Sequence, residues 1–181
     1  MLRNSHHSYG RLARALHWLC ALAIIAALAC IEIKGFFPKG SALRDGMKFA
    51  HVQAGLIVLL LILPRLLWRV SNPVPAISPA PGKLAMLAAH AMHWALYALM
   101  LALPLLGVAF MQGNGREVAL FGMTLPTLFA VDPAAARNWK DLHELLGNVL
   151  LWGVILHAAA ALWHHAIVKD DTLARLTGPL R

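Results

Sequence analysis

Apolar residues in this chain gather into four long runs separated by short polar stretches. A helix needs about 20 mostly apolar residues to cross a bilayer. Runs at about 15–33, 47–68, 84–111 and 142–168 all reach that length. The segments between them carry helix breakers: KGFFPKGS after the first, SNPVPAISPAP after the second, and a longer loop with GNGR, FGMTLP and VDP after the third. No internal repeat and no soluble domain interrupts this pattern. It predicts an all-α integral membrane protein, one four-helix bundle over residues 1–181. The first run follows basic residues, as a signal peptide would, but it is long for such a segment and is expected to stay as an uncleaved helix.

Composition strengthens the membrane reading and narrows the chemistry. The chain is 60% hydrophobic and 13% charged, with mean hydropathy +0.65, which excludes an ordinary soluble domain. Cys20 and Cys30 share one apolar run, and as helix residues they stand about 15 Å apart, too far for a disulfide. No C-x-x-C-H occurs, so covalent c-type haem attachment is not expected. Nothing points to a nucleic-acid partner; lipid is the expected surroundings. With the N-terminus inside, the inner side holds Arg3, Arg11, Arg14, Arg65, Arg69, Lys83, Lys169, Arg175 and Arg181. The outer side holds Lys34, Lys39, Arg44, Lys48, Arg116, Arg137 and Lys140. The small inner excess favours both termini in the cytoplasm.

Ten histidines against eight acidic residues is the second anomaly, because several sit inside the apolar runs. His143 and His157 return to nearly the same helix face, about 21 Å apart along the axis. His164 extends that stripe towards the inner interface. By depth, His51 of the second run matches His143 on the outer side. His17 of the first run matches His157 on the inner side. A single intramembrane histidine is as readily an interhelical hydrogen bond, but four matched in depth suit the two axial positions of two haem irons. A zinc site is disfavoured, because no carboxylate or thiolate shares these depths. His93 reaches a depth similar to His157 and remains an alternative inner ligand; His90 and His93 otherwise line a cofactor propionate or a quinone pocket. His6 and His7 are expected in solvent. Pro64 and Pro104 are expected to loosen their helices, and Glu32 and Asp141 to lie at helix ends.

Particular stretches carry a resemblance. LHW at Leu16, EIKGFFPK at Glu32, HVQAG at His51, RLLWR at Arg65 and AHAMHWALY at Ala89 belong to it. So do FGMTLP at Phe121 and the closing LHAAAALWHH and KDDTLAR. Together they make the chain similar to bacterial cytochrome b561, in the wider group with the cytochrome b subunits of hydrogenase and formate dehydrogenase. The resemblance implies two haem b groups, with His17 and His157 on the inner iron and His51 and His143 on the outer. It also implies a superoxide oxidase of the bacterial inner membrane, with superoxide as donor and ubiquinone as acceptor beside the inner haem, where His164 and His90 could face it. The alternative is an electron-transfer and anchor subunit linking quinone to a periplasmic redox partner. A haem-free histidine-rich transporter is the remote third reading.

Overall fold

The computed structural model describes residues 1–178; Arg181, counted above among the inner cations, lies outside the described residues. Four long helices make up the body: α1 (Arg11–Ile33), α2 (Ala42–Ser71), α3 (Lys83–Gly113) and α4 (Pro133–Trp163). All four are long and apolar enough to cross a membrane. α1 ends with its apolar run at Ile33, and the α-helical part of α4 stops at Trp163, short of 168. All four begin before their runs, and α2 and α3 also end beyond theirs, because polar turns continue the helix into the interface. Asp141 consequently lies inside α4 rather than at its end.

Local sequence sets the boundaries. Ser41 caps α2 by accepting the Arg44 N–H. Asp132 caps α4 by accepting from the Ala134 and Ala135 N–H groups, with Pro133 in the first turn where it withholds no needed donor. Pro64 and Pro104 lie within α2 and α3, where packed neighbours in a membrane tolerate the missing donor. At its far limit α4 widens into a π-helical turn, His164–Val168, and Lys169 ends it in a left-handed conformation at φ 59°.

The helices form two antiparallel hairpins: α1 lies along α2, α3 lies along α4, and α2 with α3 joins the two. Their shared core is aliphatic, built from Cys20 and Ile24 of α1, Val58 and Ile62 of α2, Met100 and Leu103 of α3, and Leu150 of α4. Both described chain ends sit at one end of the bundle, called here the terminal end. There the Tyr9 N–H donates to the Arg175 carbonyl, Ala76 N–H to His6, and Asp171 N–H to Ser78. Arg175, on the short helix α5 (Ala174–Thr177), is buried; it donates to the Pro75 carbonyl and lies over the Tyr9 ring. At the far end, a small antiparallel pair, β1 (Ala119–Leu120) and β2 (Met123–Thr124), folds the long loop over α2 and α3. Two buried glutamines hold it. Gln53 donates to the Ala119 carbonyl and accepts from the Phe121 N–H. Gln112 donates to Pro126 and accepts from the Leu128 N–H.

Gly10 is where the N-terminal segment crosses the start of α1. A Cβ there would run into the Leu2 carbonyl oxygen and the Arg3 carbonyl carbon, both backbone atoms. Gly10→Ala is expected to cost about 1–3 kcal/mol through overpacking, read as a lower thermal midpoint in detergent and faster proteolysis of the first ten residues. Gly35→Ala, which adds its methyl to open space, is the control and should lack the extra proteolysis.

Candidate functional site

Histidines placed on opposite hairpins meet at two levels. At the far level, His51 of α2 faces His143 of α4 with ring centroids 6.0 Å apart. At the terminal level, His17 of α1 faces His157 of α4 at 6.4 Å. The aliphatic core lies between the two levels. These are the pairings that depth along the sequence suggested.

The separations say what fits between the rings. Metal–imidazole nitrogen bonds are about 2 Å, and the ring centre lies about 1 Å beyond the nitrogen, so one metal held by two opposed imidazoles puts their centroids about 6 Å apart. Both pairs match. His93 tests the alternative: its ring meets His157 edge-on at 5.3 Å and 72°, which is direct aromatic contact and tighter than an interposed metal allows. His157 thus has His17 on one side at ligand spacing and His93 on the other at packing distance.

Hydrogen bonds to the second nitrogen differ between levels. His51 Nδ1 is 2.8 Å from the Ala27 carbonyl and His143 Nδ1 is 2.9 Å from the Leu103 carbonyl. A carbonyl only accepts, so each Nδ1 carries the hydrogen and each Nε2 keeps its lone pair for a metal. Gly107 lies against the His143 ring: a Cβ there would meet it at 3.4 Å, an ordinary van der Waals contact. At the terminal level, Arg65 Nη2 lies 2.9 Å from His17 Nδ1. A guanidinium only donates, so this contact uses the Nδ1 lone pair instead. Sequence reasoning counted Arg65 only as an inner cation. Its guanidinium also lies over the Tyr97 ring at 5.6 Å.

Unpartnered donors collect along the last turns of α2, from Arg65, which meets His17, onwards. Arg65 Nε, Trp68 Nε1 and Arg69 Nη1 are buried without hydrogen-bond partners among the described residues. Three orphaned donors along the last turns of one helix suit carboxylates, and a b-type haem carries two as propionates. Neutral imidazole pairs at ligand spacing, with cationic donors beside them, form a donor set that fits haem b.

The remaining predicted histidines divide. His164 opens the π-helical turn, where its Nδ1 donates to Asp170 Oδ2 at 2.5 Å. Asp170 was not singled out from the sequence; nothing in a linear reading shows that the tail folds back on α4. It is almost wholly buried and also accepts the Thr172 N–H. His90 is exposed on α3 and makes no hydrogen bond or ring contact among the described residues, so the structure does not bring it to His164. His6 and His7 are exposed, as expected.

Such an arrangement, a four-helix membrane bundle with imidazoles paired at two levels, defines the class of membrane cytochromes b. A family model described as prokaryotic cytochrome b561 matches residues 8–179, and the chain belongs to that family. Relatives agree along their lengths. The chain is 36% identical to the probable superoxide oxidase CybB of Yersinia pestis, over 94% of this chain and 96% of that protein. It is 37% identical to cytochrome b561 homolog 1 of Escherichia coli strain K12, over 89% and 92%, and 31% identical to homolog 2 of the same strain, over 97% and 94%. Family membership brings haem b binding and membrane electron transfer, and makes this a bacterial membrane protein.

Burial alone would raise the Asp170 pKa, but the hydrogen bonds from His164 and Thr172 outweigh it and hold the carboxyl below the usual range. A folded pKa below the unfolded value, about 3.9, contributes stability that is present above that value and lost as pH falls through the folded pKa. The difference in thermal midpoint between wild type and Asp170→Asn should therefore be steady from neutral pH to about pH 5 and shrink below about pH 4. A difference independent of pH down to about 3 would assign the loss to packing instead.

Proposed function

We propose that the chain is a superoxide:quinone oxidoreductase of the bacterial inner membrane, holding two haem b groups and lying with both termini in the cytoplasm. One observation carries the reading: two imidazole pairs, at two levels, each bridging one hairpin to the other at ligand spacing. The name of the Yersinia relative supports superoxide as donor. The reaction balances as two superoxide anions, one ubiquinone and two protons giving two dioxygen molecules and one ubiquinol.

On this reading, His51 and His143 hold the far haem and His17 and His157 the terminal one. Haem b, when bound by these histidines, would supply reversible one-electron chemistry. The chain's own residues do the rest. Ala27 and Leu103 fix the far rings through their carbonyls. For His17 to ligate through Nε2, its Nδ1 would have to take the hydrogen, which would free Arg65, with Trp68 and Arg69, to donate to carboxylates of the bound group. The aliphatic core from Cys20 to Leu150 keeps water out between the levels.

Substrate access follows charge. Of the seven far-end cations, Lys48 pairs with Asp45 and Lys140 with Glu144, each at 2.8 Å. Lys34 and Arg44 donate to backbone carbonyls. That leaves Lys39, Arg116 and Arg137, exposed and without a side-chain partner among the described residues, to draw a small anion towards the far pair. At the terminal end, Asp170 fixes His164 through Nδ1 and leaves Nε2 to face the quinone.

A second reading has a specific observation of its own. Phe121 and Met123 at the far-end hairpin are 71% and 68% exposed, a surface on which a periplasmic redox partner would dock if the chain were an electron-transfer subunit. Mixing haem-loaded protein with superoxide and a soluble ubiquinone analogue separates the two. Rapid superoxide-dependent quinol formation with no added protein supports the oxidase, and its absence supports the subunit.

Ligand variants are expected to resolve the sites. His143→Ala should reduce about two haems per chain to about one, removing the far haem, and His157→Ala should remove the terminal haem. His93→Ala should retain both, by haem quantitation and redox titration. Loss of the terminal haem in His93→Ala with retention in His17→Ala would reassign the ligand. Neutralising Lys39, Arg116 and Arg137 together should slow superoxide consumption by about tenfold at low salt and flatten its dependence on ionic strength. An unchanged rate and slope would reduce these cations to lipid contacts.

A further inference from the structure

Helix α4 has a second polar feature, on the side away from its histidines. Asn148 follows His143 by five residues and precedes His157 by nine, so it points about 140° away from the first and about 180° from the second. It is exposed, and its amide makes no hydrogen bond among the described residues. Depth makes this costly. Asn148 lies seven residues beyond Asp141, about 10 Å further into the hydrocarbon, where water is not available to an unpaired amide.

Its neighbours on that face form a seam. Leu145, Asn148, Trp152, Ile155, Ala159 and Leu162 follow one another at alternating steps of three and four, the spacing of a helix-pairing stripe. All six are exposed, Leu145 and Leu162 by 61% and Trp152 by 63%. Only 6% of the α4 membrane window is buried, against 22–33% for the other three helices. Beside the seam, a groove of about 460 Å³ opens between α3 and α4, lined by Met92, Leu96 and Leu99 opposite Asn148, Trp152 and Gly153.

We propose that this face binds a second copy of the chain, α4 against α4 about a two-fold axis, with Asn148 of each copy bonded to Asn148 of the other. The chemistry selects the occupant. An amide is both donor and acceptor, so a two-fold interface, which places the same residue opposite itself, satisfies both groups at once. An acyl chain offers no hydrogen-bonding atom at this depth. The adjoining groove gives each Trp152 a place to pack against the other copy. The proposal does not depend on the haems or on the substrate, since the seam lies on the opposite side of α4 from His143 and His157.

The test is the association of fluorescently labelled full-length, haem-loaded protein in liposomes, by energy transfer over a range of protein-to-lipid ratios. Wild type is expected to dimerise. Asn148→Leu should weaken association by about threefold to thirtyfold, the range for interhelical polar contacts in membranes, while keeping the haem spectrum. Trp152→Ala should weaken it through packing, and Asn148→Gln, which keeps an amide, should retain part of it. Wild type that stays monomeric at every density overturns the proposal, as does Asn148→Leu associating as tightly as wild type.

Discussion

An imidazole inside hydrocarbon must have something to do with both of its nitrogens, because lipid offers neither donor nor acceptor. That requirement organises this bundle. His51 and His143 each commit one nitrogen to a backbone carbonyl of a neighbouring helix, Ala27 of α1 and Leu103 of α3. The other nitrogen of each is then left over, and the two rings face one another across the gap between hairpins. On the proposed reading, a metal between them would complete both. The helices are thus held together twice, by the side chain-to-carbonyl bonds within each hairpin and by whatever the ring pairs share between hairpins.

The terminal level solves the same problem differently. His17 meets a guanidinium rather than a carbonyl, and the surplus on that side is of donors: Arg65, Trp68 and Arg69 have buried N–H groups with no acceptor. A neutral macrocycle would leave that surplus standing, whereas one bearing carboxylates removes it. The far level needs only axial coordination; the terminal level needs coordination and negative charge together. On the proposed reading, this asymmetry would tie the acidic side groups of the inner haem to α2, with Arg65 placed between ligand and carboxylate.

Much of this was legible in the sequence, because both helix crossing and helix facing are periodic. Four apolar runs gave four helices, and a fourteen-residue interval on one helix gave two levels. Depth matched His17 with His157 and His51 with His143, and the structure brings those same rings together. What the sequence hid is whatever depends on chain reversal. The buried Asp170 reaches His164 because the helix widens into a π turn and Lys169 turns the tail back. Gln53 and Gln112 lay in plain view as amides within apolar runs, but their partners are backbone groups of a loop with no periodic signal. His93 stayed ambiguous for a different reason: depth cannot tell ligand spacing from ring packing, which differ by only about 1 Å between the two contacts of His157.

The placement of both pairs on α4 has a further physical consequence. A helix that supplies one histidine to each level fixes the distance between levels by its own rise, about 21 Å over fourteen residues, whatever the other helices do. On the proposed two-haem reading it would not also pack its whole surface against protein, because the histidine face would stand off from α1 and α2 to leave room for cofactor. α3 covers one flank, through contacts such as Leu96 against Gly153, and the remaining face is turned to lipid. A helix held on one flank and through its ligands is the element of this bundle most in need of external support. The asparagine on its free face sits where another protein surface, but not a hydrocarbon chain, would give that support.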